Sequence, residues 1–161
     1  MIDYDLLGVY LNDHLGAATG GVELFRRAAS GQTRSENRSV LQQLQSDVSE
    51  DRESLIQIMR DLGLPTRRYK VAGGWALEKL GRLKLNGTVL RRSPLSDVVE
   101  LEGMRLGVEG KDAMWVLMQR LCAEEPRLDP IMLERLHSRA RNQLERLEEL
   151  RLKSATTAFT A

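Results

Sequence analysis

Apolar residues recur at alternating steps of three and four positions along four long stretches of this 161-residue chain. This spacing constrains the fold more than any other feature, because it gathers the apolar side chains on one side of an α-helix. No stretch of more than a few residues alternates with the period of two that a half-buried strand needs. The sequence therefore predicts an all-α protein, and its length suits a single hydrophobic core.

The first two helices have clear candidate boundaries. The first is predicted over about residues 3–29, with an inward stripe at Leu7, Leu11, His14, Ala18, Gly21, Phe25 and Ala28. The second is predicted to start near Ser35 and to stop at Gly63, which is followed by Leu64 and Pro65, because glycine and then proline typically end a helix. Its stripe reads Leu41, Leu44, Val48, Asp51, Leu55, Ile58 and Leu62. A carboxylate therefore occupies one core-facing position.

Two further helices follow a long stretch of weaker pattern. The third is predicted from Ser93-Pro94 to about residue 123, with a stripe at Val99, Gly103, Leu106, Gly110, Ala113, Leu117 and Leu121. The fourth opens at Asp129-Pro130, and its stripe is Leu133, Leu136, Ala140, Leu144, Leu147 and Leu150. Residues 154–161 are expected to form a flexible tail, so we predict one domain over residues 1–153.

The chain carries no sign of export or of membrane insertion. Its start lacks the basic and apolar regions of a secretory signal, and no apolar run is long enough to span a bilayer. Cys122 is the only cysteine, so an intrachain disulfide and a cysteine-based metal site are both excluded. We therefore expect a soluble cytoplasmic protein without a transmembrane segment.

The predicted layout consists of two long helices, a long crossover and two more long helices. This layout resembles the ferritin-like superfamily, including its rubrerythrin-type and bacterioferritin-type bundles. The fragments at residues 11–17 (LNDHLGA) and 58–63 (IMRDLG) carry the same resemblance. It implies a four-helix bundle over about residues 3–152. It also implies a two-metal site in which the first and third helices each supply Glu, and the second and fourth each supply Glu-x-x-His.

That ligand pattern is only partly present. His14 stands at the Glu position of the first helix, and Val48 and Asp51 stand at the two positions of the second, where a shift by one residue gives Asp47-x-x-Glu50 instead. Glu102 flanks the stripe of the third helix. The fourth contains Glu134-x-x-His137, although another count puts Ala140 at the His position. The fullest candidate metal set is His14, Asp51, Glu102, Glu134 and His137.

Because this set is incomplete, we expect no cofactor, and iron, manganese or zinc are the metals to test if one binds. The alternative interpretation needs no metal. His14 and Asp51 would face each other across the core as a hydrogen-bonded pair, while the other three would be partly solvated.

The charge is distributed unevenly along the chain. Between residues 66 and 93 eight cations stand against Glu78 alone, a net +7, which leaves −6 for the rest of a chain of net charge +1. One interpretation packs this basic crossover against the acidic second helix. The other makes it a polyanion-binding surface, although nucleic acid is not the partner we expect, since aromatic residues are sparse. The candidate residues are Arg67, Arg68, Lys70, Lys79, Arg82, Lys84, Arg91 and Arg92.

The sequence thus favours a ferritin-like bundle with a degraded metal site. Such a protein would act as a non-catalytic structural or interaction module, forming a homo-oligomer or binding a protein partner that the sequence does not identify. The first alternative is a metal-binding protein or oxidoreductase, and the second is a polyanion-binding module that uses residues 66–93. Enzyme activity is left open, with no catalytic residue to name.

Overall fold

The computed structural model describes residues 1–66 and 94–160, and these residues form four α-helices and no strands. Helix α1 spans Tyr4–Gly31, α2 spans Ser35–Asp61, α3 spans Pro94–Leu121 and α4 spans Pro130–Phe159. The predicted all-α four-helix bundle is therefore confirmed. Residues 67–93 of the basic crossover, with all eight candidate polyanion-binding cations, lie outside the described residues.

Short polar signals set the helix ends. The Asp3 carboxylate accepts hydrogen bonds from the backbone N–H groups of Asp5 and Leu6, and Asp129 caps α4 in the same way. At the end of α2, Gly63 has a φ of 71°, a left-handed conformation that suits glycine. The N–H of Gly63 donates to the Arg60 carbonyl, and the N–H of Leu64 donates to that of Met59. These bonds confirm the predicted stop of the second helix.

Contacts near the helix ends define the topology. The Tyr4 hydroxyl donates to Glu125, so α1 begins where α3 ends. The Asn12 amide donates to the Pro65 carbonyl, so α1 and α2 are antiparallel neighbours. An ion pair between Lys153 and Glu36 brings the end of α4 to the start of α2. Hairpins α1–α2 and α3–α4 therefore lie side by side, while α2 and α3 run in the same direction.

The predicted stripes of α2 and α4 are confirmed throughout. Every residue of both stripes is buried, including Asp51. In α1 the large members Leu7, Leu11 and Phe25 are buried, whereas His14 is half-buried. These side chains join Met104, Val108, Trp115 and Met118 of α3 in one continuous core.

The predicted stripe of α3 is wrong. Leu106 is 70% exposed, and Gly110, Ala113 and Leu117 are also exposed. The buried side of α3 carries Val98, Leu101, Met104, Val108, Met114, Trp115 and Met118. This helix has two apolar stripes, and the one with the larger side chains is buried because burial stabilises in proportion to apolar area.

The last helix continues beyond Ser154 to Phe159, across most of the residues expected as a tail. Ser154 itself is buried, because it follows Leu147 and Leu150 at the same helical spacing. The division at residue 153 stays a prediction. Across residues 1–66 and 94–160, no helix combines the length and the apolar character needed to cross a membrane.

The capping role of Asp129 can be tested directly. Replacing Asp129 by Ala removes the acceptor for two backbone N–H groups and should lower the free energy of unfolding by about 1 kcal/mol. Urea denaturation followed by circular dichroism gives this value. Asp129→Asn is the matched control, because asparagine caps about as well as aspartate, and an equal loss in both variants would contradict the capping assignment.

Candidate functional site

A single buried carboxylate lies at the centre of the polar contacts inside the bundle. Asp51 of α2 is 1% exposed. Its Oδ1 accepts a hydrogen bond from Arg139 Nε of α4 at 2.6 Å. Its Oδ2 accepts bonds from Lys111 Nζ of α3 at 2.5 Å and from Gln143 Nε2 of α4 at 2.9 Å. Three helices therefore meet at one carboxylate, and both of its oxygens have partners.

Gln143 closes this cluster into a ring. While its amide nitrogen donates to Asp51, its carbonyl oxygen accepts a bond from Lys111 Nζ. Lys111 is mostly buried, and this burial lowers the pKa of its ammonium group, although the neighbouring Asp51 opposes the shift. The ring consists of one anion, one cation and one amide, so its polar groups satisfy each other away from water.

Further ion pairs extend from the ring along the seam between α2 and α4. Arg139 also binds Glu50 at 3.0 Å, and Arg146 binds Asp47 at 3.0 Å. With the pair between Lys153 and Glu36, cations of α4 line the acidic side of α2 over most of its length. Asp47, Glu50 and Asp51 of α2 thus have partners on the last helix, whereas Glu53 pairs with Arg52 of α2 itself.

The five candidate metal ligands do not converge on one site. Glu102 is exposed and lies 3.6 Å from Arg151, and Glu134 is exposed and accepts a bond from Gln119. His137 Nδ1 lies 2.8 Å from Asp112 Oδ1. Within the part of the chain that the structure describes, no group of three or more His, Cys, Asp or Glu residues is close enough to hold a metal ion.

The predicted hydrogen bond between His14 and Asp51 is wrong. The ring of His14 packs edge-on against that of Tyr10, with centroids 4.6 Å apart, and Asp51 is satisfied by α3 and α4 instead. Burial lowers the pKa of His14, and the Asp13 carboxylate opposes this shift only partly. His14 is therefore a partly buried ring beside Tyr10 of the same helix, and its surroundings favour the neutral form.

The donor set around Asp51 does not fit a two-metal centre. Such a centre needs several carboxylates and imidazoles converging on the metals, but here two of the groups nearest to Asp51 are cations. A divalent ion entering this position would be repelled by Lys111 and Arg139. What the arrangement does chemically is to neutralise a buried anion with the protein's own positive charges.

A second polar network lies at the end of the bundle where α1 begins. Glu125 accepts hydrogen bonds from the Tyr4 hydroxyl and from the Arg127 guanidinium, and Arg127 also stacks over the Tyr4 ring at 5.2 Å. Arg127 and Tyr4, as hydrogen-bond donors, lower the pKa of Glu125 to about 2. Arg127 also donates to the Leu62 carbonyl, so this network connects both α1 and the end of α2 to the α3–α4 loop through hydrogen bonds.

A small cavity of about 170 Å³ lies at the opposite end. Asn37, Asp97 and Ser154 are among the polar residues that line it, and Asn37 Oδ1 is buried without a hydrogen-bond partner. This cavity is far along the bundle from the Asp51 ring, since it adjoins the α1–α2 loop.

Comparison of the chain with protein-family models, curated protein sequences and solved structures finds no match. The assignment of a function therefore depends on the geometry of the chain itself.

The importance of the buried carboxylate leads to a stability prediction. Asp51→Ala leaves Lys111 buried and unpaired, so it should lower the free energy of unfolding by about 3–5 kcal/mol in urea denaturation. Adding Lys111→Met should recover part of this loss, because it removes the unpaired charge. Asp47→Ala is the matched control, since the pair between Asp47 and Arg146 is partly exposed and should cost about 1 kcal/mol or less. Equal losses in Asp51→Ala and Asp47→Ala would contradict this assignment.

The partly buried imidazole of His14 leads to a pH prediction. A lowered pKa keeps His14 neutral in the folded protein below pH 6.5, where the unfolded chain takes up a proton. The free energy of unfolding should therefore fall as the pH decreases below 6.5. His14→Gln should make this fall shallower, as measured by urea denaturation at pH 7, 6 and 5. Parallel curves for the two proteins would show that His14 does not contribute.

Proposed function

We propose that this chain is a ferritin-like bundle that carries its own cations at the position of the metal site and acts as a non-catalytic, self-associating structural module. One observation carries the proposal. Asp51 stands at a predicted ligand position of α2, and the groups that neutralise it are Lys111 and Arg139. The side chains of Lys111 and Arg139 thus supply the positive charge that a bound metal would otherwise place beside Asp51.

The charge arrangement supports a structural role for these residues. A buried carboxylate needs a positive partner and hydrogen bonds to offset its desolvation, and Asp51 has two cations and the Gln143 amide. No oxygen of Asp51 is left without a protein partner. The ring therefore favours a fixed internal connection between α2, α3 and α4 over a site that exchanges ligands.

Metal binding is kept as the alternative on one specific observation. His137 and Asp112 lie 2.8 Å apart, and Glu134 precedes His137 by one helical turn. An imidazole and carboxylates of this kind are ligands for iron, manganese or zinc. The alternative role is a metal-binding protein or an oxidoreductase. The polyanion-binding alternative depends on residues 66–93 and stays a prediction from the sequence.

Elemental analysis separates the first two functions. Purified protein exposed in turn to iron, manganese and zinc should retain much less than one metal per chain after dialysis, and His14→Ala and His137→Ala should leave this content unchanged. Near-stoichiometric metal that both variants lose would overturn the proposal in favour of the metal-binding alternative. Sedimentation velocity on the same preparation should show a stable oligomer.

A further inference from the structure

The cavity beside the α1–α2 loop, which we call the end cavity, has a polar wall. Its wall includes Gly31, Arg34, Asn37, Asp97, Ser154 and Thr157. Apart from Gly31, all of its lining residues have polar side chains. Its volume of about 170 Å³ is several times the ~30 Å³ that a water molecule occupies in the liquid. A ligand of several non-hydrogen atoms therefore fits.

Two buried side chains in this wall have no partner in the protein. Asn37 is 3% exposed, and its Oδ1 accepts no hydrogen bond. Ser154 is 7% exposed, and its hydroxyl makes no hydrogen bond within residues 1–66 and 94–160. Other hydroxyls near the end of α4 do find one, since those of Thr157 and Thr160 each donate to the carbonyl one turn earlier. Because buried polar groups in proteins are usually paired, these two indicate a bound molecule in the cavity.

One side of the end cavity is positive. The Arg34 side chain donates one hydrogen bond from Nη1 to the Thr157 hydroxyl, which leaves further N–H groups of the guanidinium for an anion. Arg34 is the N-cap residue of α2, and its side chain does not cap that helix. The N-terminus of a helix carries partial positive charge, so the start of α2 adds to the charge of Arg34. This side therefore attracts a carboxylate.

Another part of the wall is negative. Asp97 lies in the first turn of α3, and Gly31 is the last residue of α1, where a helix carries partial negative charge. Asp97 already interacts with another group of the protein. A carboxylate offers about four lone-pair positions, however, so it can accept a further hydrogen bond. This part of the wall therefore attracts an ammonium group.

We propose that the end cavity binds a small zwitterion, namely a free α-amino acid, with its carboxylate at Arg34 and its ammonium group at Asp97. A ligand with a single charge would be attracted by one of these residues and repelled by the other, whereas a zwitterion matches both. The Asn37 amide and the Ser154 hydroxyl supply neutral polar contacts to the same ligand. This site is distinct from the Asp51 ring and does not depend on self-association.

Titration of the ¹⁵N-labelled protein with glycine, L-alanine and L-serine tests the site. At least one of them should shift the amide signals of residues 31–37 and of Asp97 in a saturable way, with a Kd of about 10 mM or tighter. Acetate and methylammonium carry the two charges on separate molecules. Each should therefore bind at least about 10-fold more weakly than the amino acid at the same ionic strength.

The other outcomes overturn the proposal. Acetate that binds as tightly as the amino acid would identify a simple anion site, and methylammonium that does so would identify a cation site. No saturable shift with any of the three amino acids at about 100 mM would show that the cavity holds only water.

Charge-removing variants test the two ends of the ligand. Arg34→Gln and Asp97→Asn should each raise the Kd of the amino acid by about 10-fold or more, because each removes a charge-assisted hydrogen bond. Arg26→Gln and Asp61→Asn are the matched controls, since both residues are exposed and lie outside the cavity wall. Equal effects of a variant and its control would contradict the assigned contacts.

A variant of Asn37 separates binding from folding. Asn37→Leu keeps a side chain of similar size and removes an amide whose Oδ1 has no partner in the protein, so the Tm should not fall. Binding of the amino acid should nevertheless be lost, because a polar contact in the wall is replaced by an apolar group. A folded Asn37→Leu variant that binds as tightly as the original protein would overturn the role of this residue and of the cavity.

Discussion

The neutralisation of Asp51 is the constraint on which the rest of the bundle depends. A carboxylate at the centre of an apolar core is tolerated only if cations and hydrogen bonds replace its lost hydration, and here these come from Lys111 on α3 and from Arg139 and Gln143 on α4. Sliding or rotating any of the three helices would break at least one of these contacts. The ring thus fixes the alignment of helices whose leucine-rich stripes alone would permit several.

Most of the fold could be predicted because its signals are local. The helix ends depend on a few neighbouring residues each, namely the caps Asp3 and Asp129 and the stop at Gly63. The stripes of α2 and α4 each contain a single apolar period. The prediction for the third helix is wrong because this helix has two apolar stripes. Only the shape of the surrounding core, which accepts Trp115 and three methionines, decides between them. A single helix considered alone does not contain that information.

The candidate site could be predicted only at its centre. The periodicity placed Asp51 inside the bundle, but its partners are 60, 88 and 92 residues away in the sequence, and Arg139 and Lys111 are long side chains whose reach a helical pattern does not describe. For Gln143 the sequence contains one indication of burial, because this residue lies beside Leu144 on the buried side of α4. The assumption that a buried histidine would pair with the buried acid failed because two flexible cations reach the acid from neighbouring helices.

The two seams that join the hairpins differ in their chemistry. Helices α1 and α3 meet mainly through apolar side chains, whereas α2 and α4 are joined by Asp51 and by partly exposed pairs such as Arg146 with Asp47. Dissolved salt screens partly exposed charges but scarcely weakens apolar contacts. Ionic strength therefore acts mainly on one side of the molecule: as it rises, the partly exposed pairs between α2 and α4 weaken, while the buried contacts of Asp51 and the apolar contacts between α1 and α3 change little.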